Sequence, residues 1–186
     1  MEYPWYEIIK NGDLGLQQGD LIPGCPLVVP PPTIQLDIPI QVELHLIDSI
    51  VLSQSCDLEN EKINFVLVCP YYPLKQFLDG LPESERSEKA KVKVVENLKR
   101  GHLPAYHLLS KNEDDLGVGD YQVVDFKDVY GIQLSALKNH VSKTDRRLRL
   151  LPPYREHLAQ SFARFIMRVG LPQDIKVKAD YLPPPK

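Results

Sequence analysis

The segment Ile50–Asp57 brings together side-chain types that nucleophilic chemistry uses. An apolar run ends there in two serines, a glutamine, a thiol and a carboxylate. Apolar runs of this kind are typical of buried strands, so we expect the polar groups to lie at the rim of a sheet. Cys56 would be a nucleophile only if a nearby base lowered its pKa. His102 and His107 are the candidate bases, and Asp57 is the candidate third member of such a site.

The spacing of the two histidines does not favour a metal site. His102 and His107 are five positions apart, which places them on opposite faces of a strand, and Pro104 interrupts any regular element between them. The three cysteines form no Cys-x-x-Cys pair, which argues against structural zinc. We therefore expect neither a metal ion nor another cofactor. An alternative to catalysis stays open, in which Cys56 is a small buried residue and Asp57 caps the following turn.

A basic stretch late in the sequence predicts a phosphate-binding surface. Residues 138–168 contain eight Lys or Arg against two Asp or Glu, whereas residues 1–93 contain seven against fourteen. Arginine forks match phosphate oxygens, and a tyrosine can stack on a base. The alternative is a solvated charged face that the acidic N-terminal half neutralises. The candidate nucleic-acid-binding residues are Arg146, Arg147, Arg149, Tyr154 and Arg155. Arg164 and Arg168 on the following helix could line the same groove, and Tyr130 could supply a further stacking face.

Hydrophobic periodicity predicts an α+β fold with a mostly antiparallel sheet that curls into a partly closed, small β-barrel. Alternation from Ile40 to Leu46 predicts a half-buried strand, and Asp48–Ser49 should end it. Two apolar runs, Ile50–Gln54 and Ile63–Cys69, are expected to pair as antiparallel strands in the middle of the sheet. The polar segment Ser55–Lys62 would be the turn between them.

Two helical regions complete this architecture. Charged helix formers predict a helical insertion at about 73–101, mostly solvated, that ends at Gly101. The spacing of Leu158, Phe162, Phe165, Ile166 and Val169 predicts the apolar stripe of a C-terminal amphipathic helix.

Length and composition favour one cytoplasmic domain. The 186 residues suit a single barrel domain over residues 1–170 and a Pro-rich tail over residues 171–186. No apolar run approaches the ~20 residues of a membrane helix, and three cysteines without a disulfide framework favour a reducing compartment. A net charge of −3 argues against a general polyanion binder.

Four short segments resemble the MazF/PemK-like family, the growth-inhibiting toxins with an SH3-like β-barrel. They are Gln18–Leu21, Ile50–Ser53, Phe65–Pro70 and Arg146–Arg149. The resemblance implies an SH3-like barrel, single-stranded RNA as ligand, and a bacterial stress or defence setting with an antitoxin or another defence component as protein partner. The protein could also form a homodimer. Gln18 departs from the family, which has a basic residue there, and so does the charged stretch after Pro70.

Three functions follow as hypotheses. The first is a barrel that binds single-stranded RNA or a protein partner and, if it cuts RNA, is a metal-independent endoribonuclease. The 2′-hydroxyl would then attack its own phosphate, with His102, His107 and Arg147 as the base and the charge stabiliser to test. The second is a non-enzymatic protein-interaction module, which the lack of a complete catalytic signature favours over the third. The third is a cysteine-dependent hydrolase that uses Cys56, a histidine and Asp57.

Overall fold

Eight strands form one sheet in the computed structural model, which describes residues 3–33, 39, 41–112 and 119–167. Their order is β1-β8-β2-β3-β4-β6-β5, with β7 also on β4, and every pairing is antiparallel. No hydrogen-bonded pairing among the described strands closes the sheet. The predicted α+β class and mostly antiparallel sheet are confirmed. The strands are β1 (Tyr6–Lys10), β2 (Asp20–Val29), β3 (Glu43–Val51), β4 (Phe65–Pro73), β5 (Tyr106–Leu109), β6 (Gln122–Asp125), β7 (Tyr130–Gln133) and β8 (Arg146–Leu150).

Five α-helices lie within the described residues, and three of them fall in the two predicted helical regions: α2 and α3 in the insertion, and α5 at the C-terminal end. The side chain of Ser87 accepts a hydrogen bond from the Ala90 N–H and so caps the start of α3. Gly101, with φ of +66°, follows its end. The helices are α1 (Ser55–Glu59), α2 (Leu74–Asp79), α3 (Glu88–Lys99), α4 (Leu134–Val141) and α5 (Tyr154–Ile166), and one 3₁₀ turn spans Glu83–Glu85.

The centre of the sheet is buried on both faces. Leu21 and Ile22 are neighbours in β2, yet they belong to different core clusters, and the same holds for Ile50 and Val51 in β3. This division follows from the alternation of side chains along a strand. One cluster contains α4 side chains, and the other contains Leu158 of α5 with Phe162 and Phe165 packed against it. Leu158, Phe162 and Phe165 of the predicted stripe therefore face the core, whereas Ile166 is 59% exposed and Val169 lies outside the described residues.

The predicted central strand pair is confirmed, but the connection between the strands is partly helical. Ile50 lies opposite Cys69, and Val51 lies opposite Val68. The predicted turn Ser55–Lys62 instead begins with α1, because Leu58 is buried in the core cluster that α4 covers.

Two further expectations about β3 are wrong. The strand continues through Asp48 and Ser49, where Asp48 accepts a hydrogen bond from the Gly24 N–H and the Ser49 hydroxyl donates to the Ile47 carbonyl. Leu44 and Leu46 are 63% and 69% exposed, not half-buried. The reason is that β3 pairs with β4 only over Ser49–Val51, so its first half extends beyond that neighbour.

Some of the expectations concern residues that the structure does not describe. Ile40, Arg168 and the predicted tail 171–186 lie outside the described residues. Among the helices that are described, none combines the length and the apolar character needed to cross a membrane.

Candidate functional site

The polar segment after β3 lies, as predicted, at the rim of the sheet. Gln18 ties it to the loop before β2, because its side-chain amide donates to the Leu52 carbonyl at 2.7 Å and its backbone N–H donates to the Ser55 hydroxyl oxygen at 3.2 Å. The Ser53 hydroxyl oxygen accepts the Leu67 N–H of β4 at 2.9 Å. Three separate stretches of chain therefore hold this rim in place.

A cleft of about 630 Å³ opens between this rim and α5, and we refer to it as the rim cleft. Its polar end carries two amides, a hydroxyl and the Asp57 carboxylate, and the remaining wall is apolar. The lining residues are Gln18, Ser53, Gln54 and Asp57 at the polar end, with Leu52, Ile63, Phe65, Leu67, Ala159, Phe162, Ala163, Ile166 and Met167 along the wall.

The candidate cysteine triad is not assembled. Cys56 is exposed, and its thiol lies 3.8 Å from both the Gln54 amide oxygen and an Asp57 carboxylate oxygen. Neither His102 nor His107 is among its hydrogen-bond partners in the described part of the chain. The alternative that Cys56 is a buried structural residue is also wrong, because α1 places it on the surface.

Arg147 and Arg149 share one face of β8, as predicted, but that face is buried. They are 5% and 6% exposed, and Asp20 between them is fully buried. The Asp20 carboxylate accepts the Arg147 Nε–H at 3.0 Å, the Arg149 Nε–H at 2.5 Å and an Arg149 Nη2–H at 3.0 Å. Burial opposes the charge of Arg149, but hydrogen bonds and Coulombic attraction from Asp20 outweigh it and raise the pKa of its guanidinium.

The remaining donors of these two arginines fasten the loop before β2. Arg147 donates to the carbonyls of Asp13 at 2.8 Å and Gly15 at 2.6 Å, and Arg149 also donates to the Gly15 carbonyl at 2.6 Å. The prediction that Arg147 and Arg149 line a phosphate groove is therefore wrong, since their donors are engaged inside the protein. For the same reason Arg147 cannot stabilise charge on an RNA phosphate.

The other three candidate nucleic-acid-binding residues do not form one groove with them. Arg146 is exposed at the start of β8. Arg155 bonds the Glu156 carboxylate at 3.0 and 3.2 Å and the Gln17 amide oxygen at 3.4 Å. The Tyr154 ring stacks on Trp5, with 3.6 Å between ring centroids and 9° between planes.

A second cleft is positively charged, and of the predicted groove residues that the structure describes, Arg164 alone lines it. It measures about 510 Å³ and lies where the end of α3, strand β5 and α5 meet. We call it the cationic cleft, because it has three cationic side chains, two histidines and no acidic side chain among its described lining residues. The lining is Trp5, Leu98, Lys99, Arg100, Gly101, His107, Leu108, His157, Gln160, Ser161 and Arg164.

His107 lies in this cleft, whereas His102 is exposed in the loop before β5. Burial, and secondarily the positive charge of nearby His157, lowers the pKa of His107 to about 4. Its imidazole is therefore neutral at pH 7. Sequence reasoning missed Trp5, Lys99, Arg100 and His157 as members of this cleft, because the basic pair at the end of α3 looks like an ordinary helix terminus.

The described residues hold no group of three or more His, Cys, Asp or Glu side chains arranged to bind a metal ion. Comparison with known proteins finds no matching protein-family model and no matching curated protein. The resemblance to the MazF/PemK-like family stays a prediction.

Proposed function

We propose that this protein binds single-stranded RNA, with the RNA backbone in the cationic cleft. The observation that carries the proposal is the convergence of Lys99, Arg100 and Arg164 on one cleft without an opposing acid among its described lining residues. A positively charged groove with an aromatic surface is how proteins commonly hold single strands. The cleft volume is also within the range of about 300–1,000 Å³ that ligand sites occupy.

The three cations come from two helices and so approach a phosphate from two sides. Lys99 lies 2.9 Å and Arg100 3.8 Å from the Glu96 carboxylate. Such exposed ion pairs are weak, and an RNA phosphate can replace Glu96 as their partner. Trp5 is held flat against Tyr154, which orients it in advance as the aromatic surface for a base.

We also propose that the sheet is an SH3-like barrel. The support for a partly closed barrel is that β4 changes neighbours along its length. It pairs with β7 over Phe65–Val68, with β3 over Val68–Pro70 and with β6 over Tyr71–Pro73. The stress or defence setting and an antitoxin partner follow from the family resemblance alone.

Cleavage would need a base in the cleft. Two histidines, His157 and His107, line it, and we assign the role to His107. Its neutral imidazole can accept the proton of a ribose 2′-hydroxyl. The cations of the cleft, in place of the buried Arg147, would then stabilise the charge that develops on the phosphate. We therefore add a cleavage measurement to the binding test, with a chelator present throughout.

The test is the fluorescence anisotropy of a labelled 12-nucleotide single-stranded RNA titrated with the protein. Three phosphate contacts predict a slope of about −2 in log K against log salt, which corresponds to about twentyfold weaker binding at 200 mM than at 50 mM salt. We expect Arg164→Glu to weaken binding by at least about tenfold and to reduce the slope by about 1.

Lys93→Glu is the matched control, because Lys93 is an exposed cation on α3 that does not line the cleft. It should change the affinity by less than about twofold. Binding that is insensitive to salt, or that responds equally to the two substitutions, would refute the assignment. RNA that is cut by the protein but not by His107→Gln would place catalysis in this cleft.

A further inference from the structure

Large apolar side chains are exposed around the rim cleft. Phe65 and Leu67 of β4 are 59% and 42% exposed, and Ile166 and Met167 at the end of α5 are 59% and 75% exposed. Single exposed apolar residues are ordinary in any protein. These four are different because they line the same cleft from two elements.

The apolar surface continues beyond the rim cleft across Phe65. A neighbouring cleft of about 580 Å³ also has Phe65 in its lining, together with Val28 and Leu44, which are 57% and 63% exposed. We call the surface formed by Val28, Leu44, Phe65, Leu67, Ile166 and Met167 the apolar band. A contiguous apolar surface with a polar end marks a site of interaction.

The polar end of the rim cleft is negatively charged. Asp57 is half-buried in the cleft lining, and no ion pair within the described residues joins it to a cation. Its neighbour Glu59 accepts a hydrogen bond from the neutral amide of Gln17, whereas Glu61 pairs with Lys138. The cleft therefore presents a carboxylate beside an apolar wall.

We propose that the apolar band and Asp57 bind a segment of another protein that carries apolar side chains on one face and a lysine or arginine beside them. The apolar side chains of the segment would lie on Phe65 and Leu67, and its cation would pair with Asp57. Charge complementarity favours this occupant over a second copy of the chain. A symmetric dimer pairs a surface with itself and would bring two Asp57 carboxylates to one interface.

This site is separate from the one proposed for RNA. Ala159, Phe162 and Ala163 of α5 line the rim cleft, whereas Gln160 and Arg164 line the cationic cleft. The two sites thus use different sides of the same helix, and a substitution in one leaves the lining of the other unchanged.

The test uses two labelled 14-residue synthetic peptides and the full chain in an anisotropy titration. Both peptides have leucines at helical spacing, and they differ only in carrying lysines or glutamates on the remaining face. We expect the lysine peptide to bind at least about tenfold more tightly than the glutamate peptide at low salt. Asp57→Asn should reduce that ratio to about threefold or less.

Two further variants keep the test decisive. Ala163→Gln fills part of the rim cleft without adding charge, and the exposed helical position tolerates glutamine. It should weaken the binding of both peptides by about fivefold or more. Asp79→Asn is the control for Asp57→Asn, since Asp79 is exposed and lies outside the rim cleft, and it should preserve the tenfold ratio.

Three outcomes would overturn the proposal. The first is failure of the lysine peptide to bind, and the second is equal binding of both peptides with no response to Asp57→Asn. The third is a sedimentation experiment in which the wild-type chain is a dimer and Ala163→Gln is a monomer, because a second copy would then occupy the apolar band.

Discussion

Replacement of Asp20 by asparagine should be among the most destabilising single changes in this fold. The Asp20 carboxylate is fully buried and is the counter-charge of two guanidinium groups that are themselves almost completely buried. It also accepts the backbone N–H of Gln17 at 3.2 Å. Asparagine has nearly the same shape, so its effect reports on charge and hydrogen bonding rather than on packing.

The magnitude follows from what the substitution leaves behind. Arg147 and Arg149 would keep their bonds to backbone carbonyls, and Arg149 would keep Glu7 at 3.7 Å. Both would lose Asp20, the carboxylate that they hydrogen-bond within the described part of the chain, and the asparagine NH₂ would direct a donor at their own donors. Removal of one partner from a buried ion pair costs about 3–5 kcal/mol. The loop that these arginines hold would lose its attachment as well.

Urea unfolding measures this loss. With an m-value of about 2 kcal/mol per molar urea, the midpoint should fall by about 1.5–2.5 M. Asp79→Asn removes an exposed carboxylate that lies 3.3 Å from the half-buried Lys91, and it should lower the free energy of unfolding by less than about 1 kcal/mol. If the two variants unfold within about 0.5 M of each other, the buried network does not stabilise the fold as reasoned.

Two other predictions concern titratable groups. The pKa of His107 is 6.5 in an unfolded chain and about 4 in the folded protein. At pH 5 the unfolded state therefore binds a proton that the folded state does not, and the free energy of unfolding should fall by about 2 kcal/mol between pH 7 and pH 5. His107→Gln should lose correspondingly less stability over that interval in urea unfolding, and an equal loss in both proteins would contradict the assignment. A maleimide should label native Cys56 at least about 100-fold faster than Cys25 and Cys69, which are buried, and burial raises the pKa of both of their thiols. Comparable labelling of all three in the native protein would show that the core opens readily.

The parts of the fold that could be predicted from sequence are those with a strong local signal. The apolar runs of β3 and β4 have the length and continuity of fully buried strands, and the stripe at Leu158, Phe162 and Phe165 has the period of a helix. The helices α1 and α4 were missed because they have only five and eight residues, which is too short for a clear helical period. Their stability comes from burial of Leu58, Leu137 and Val141, which is a tertiary effect.

The candidate site was harder to predict, because burial depends on distant partners. The alternation of β8 showed that Arg147 and Arg149 share a face, but the residue that neutralises them is Asp20, 127 positions from Arg147. The cationic cleft likewise joins Trp5 to the end of α3 and to Arg164. No spacing in the sequence relates these residues, whereas the fold brings them to one cleft.

The buried arginines still matter for the rim cleft, although they do not touch it. They hold the carbonyls of Asp13 and Gly15 and the carboxylate of Asp20, and Gln18 lies between these anchors. Gln18 in turn bonds Leu52 and Ser55 and lines the cleft. Gly19 beside it has φ of +85°, and a Cβ there would come within 2.9 Å of Leu150 Cβ, so the loop packs directly on β8. The polar end of the rim cleft is thus positioned by an ion-pair network on a neighbouring strand.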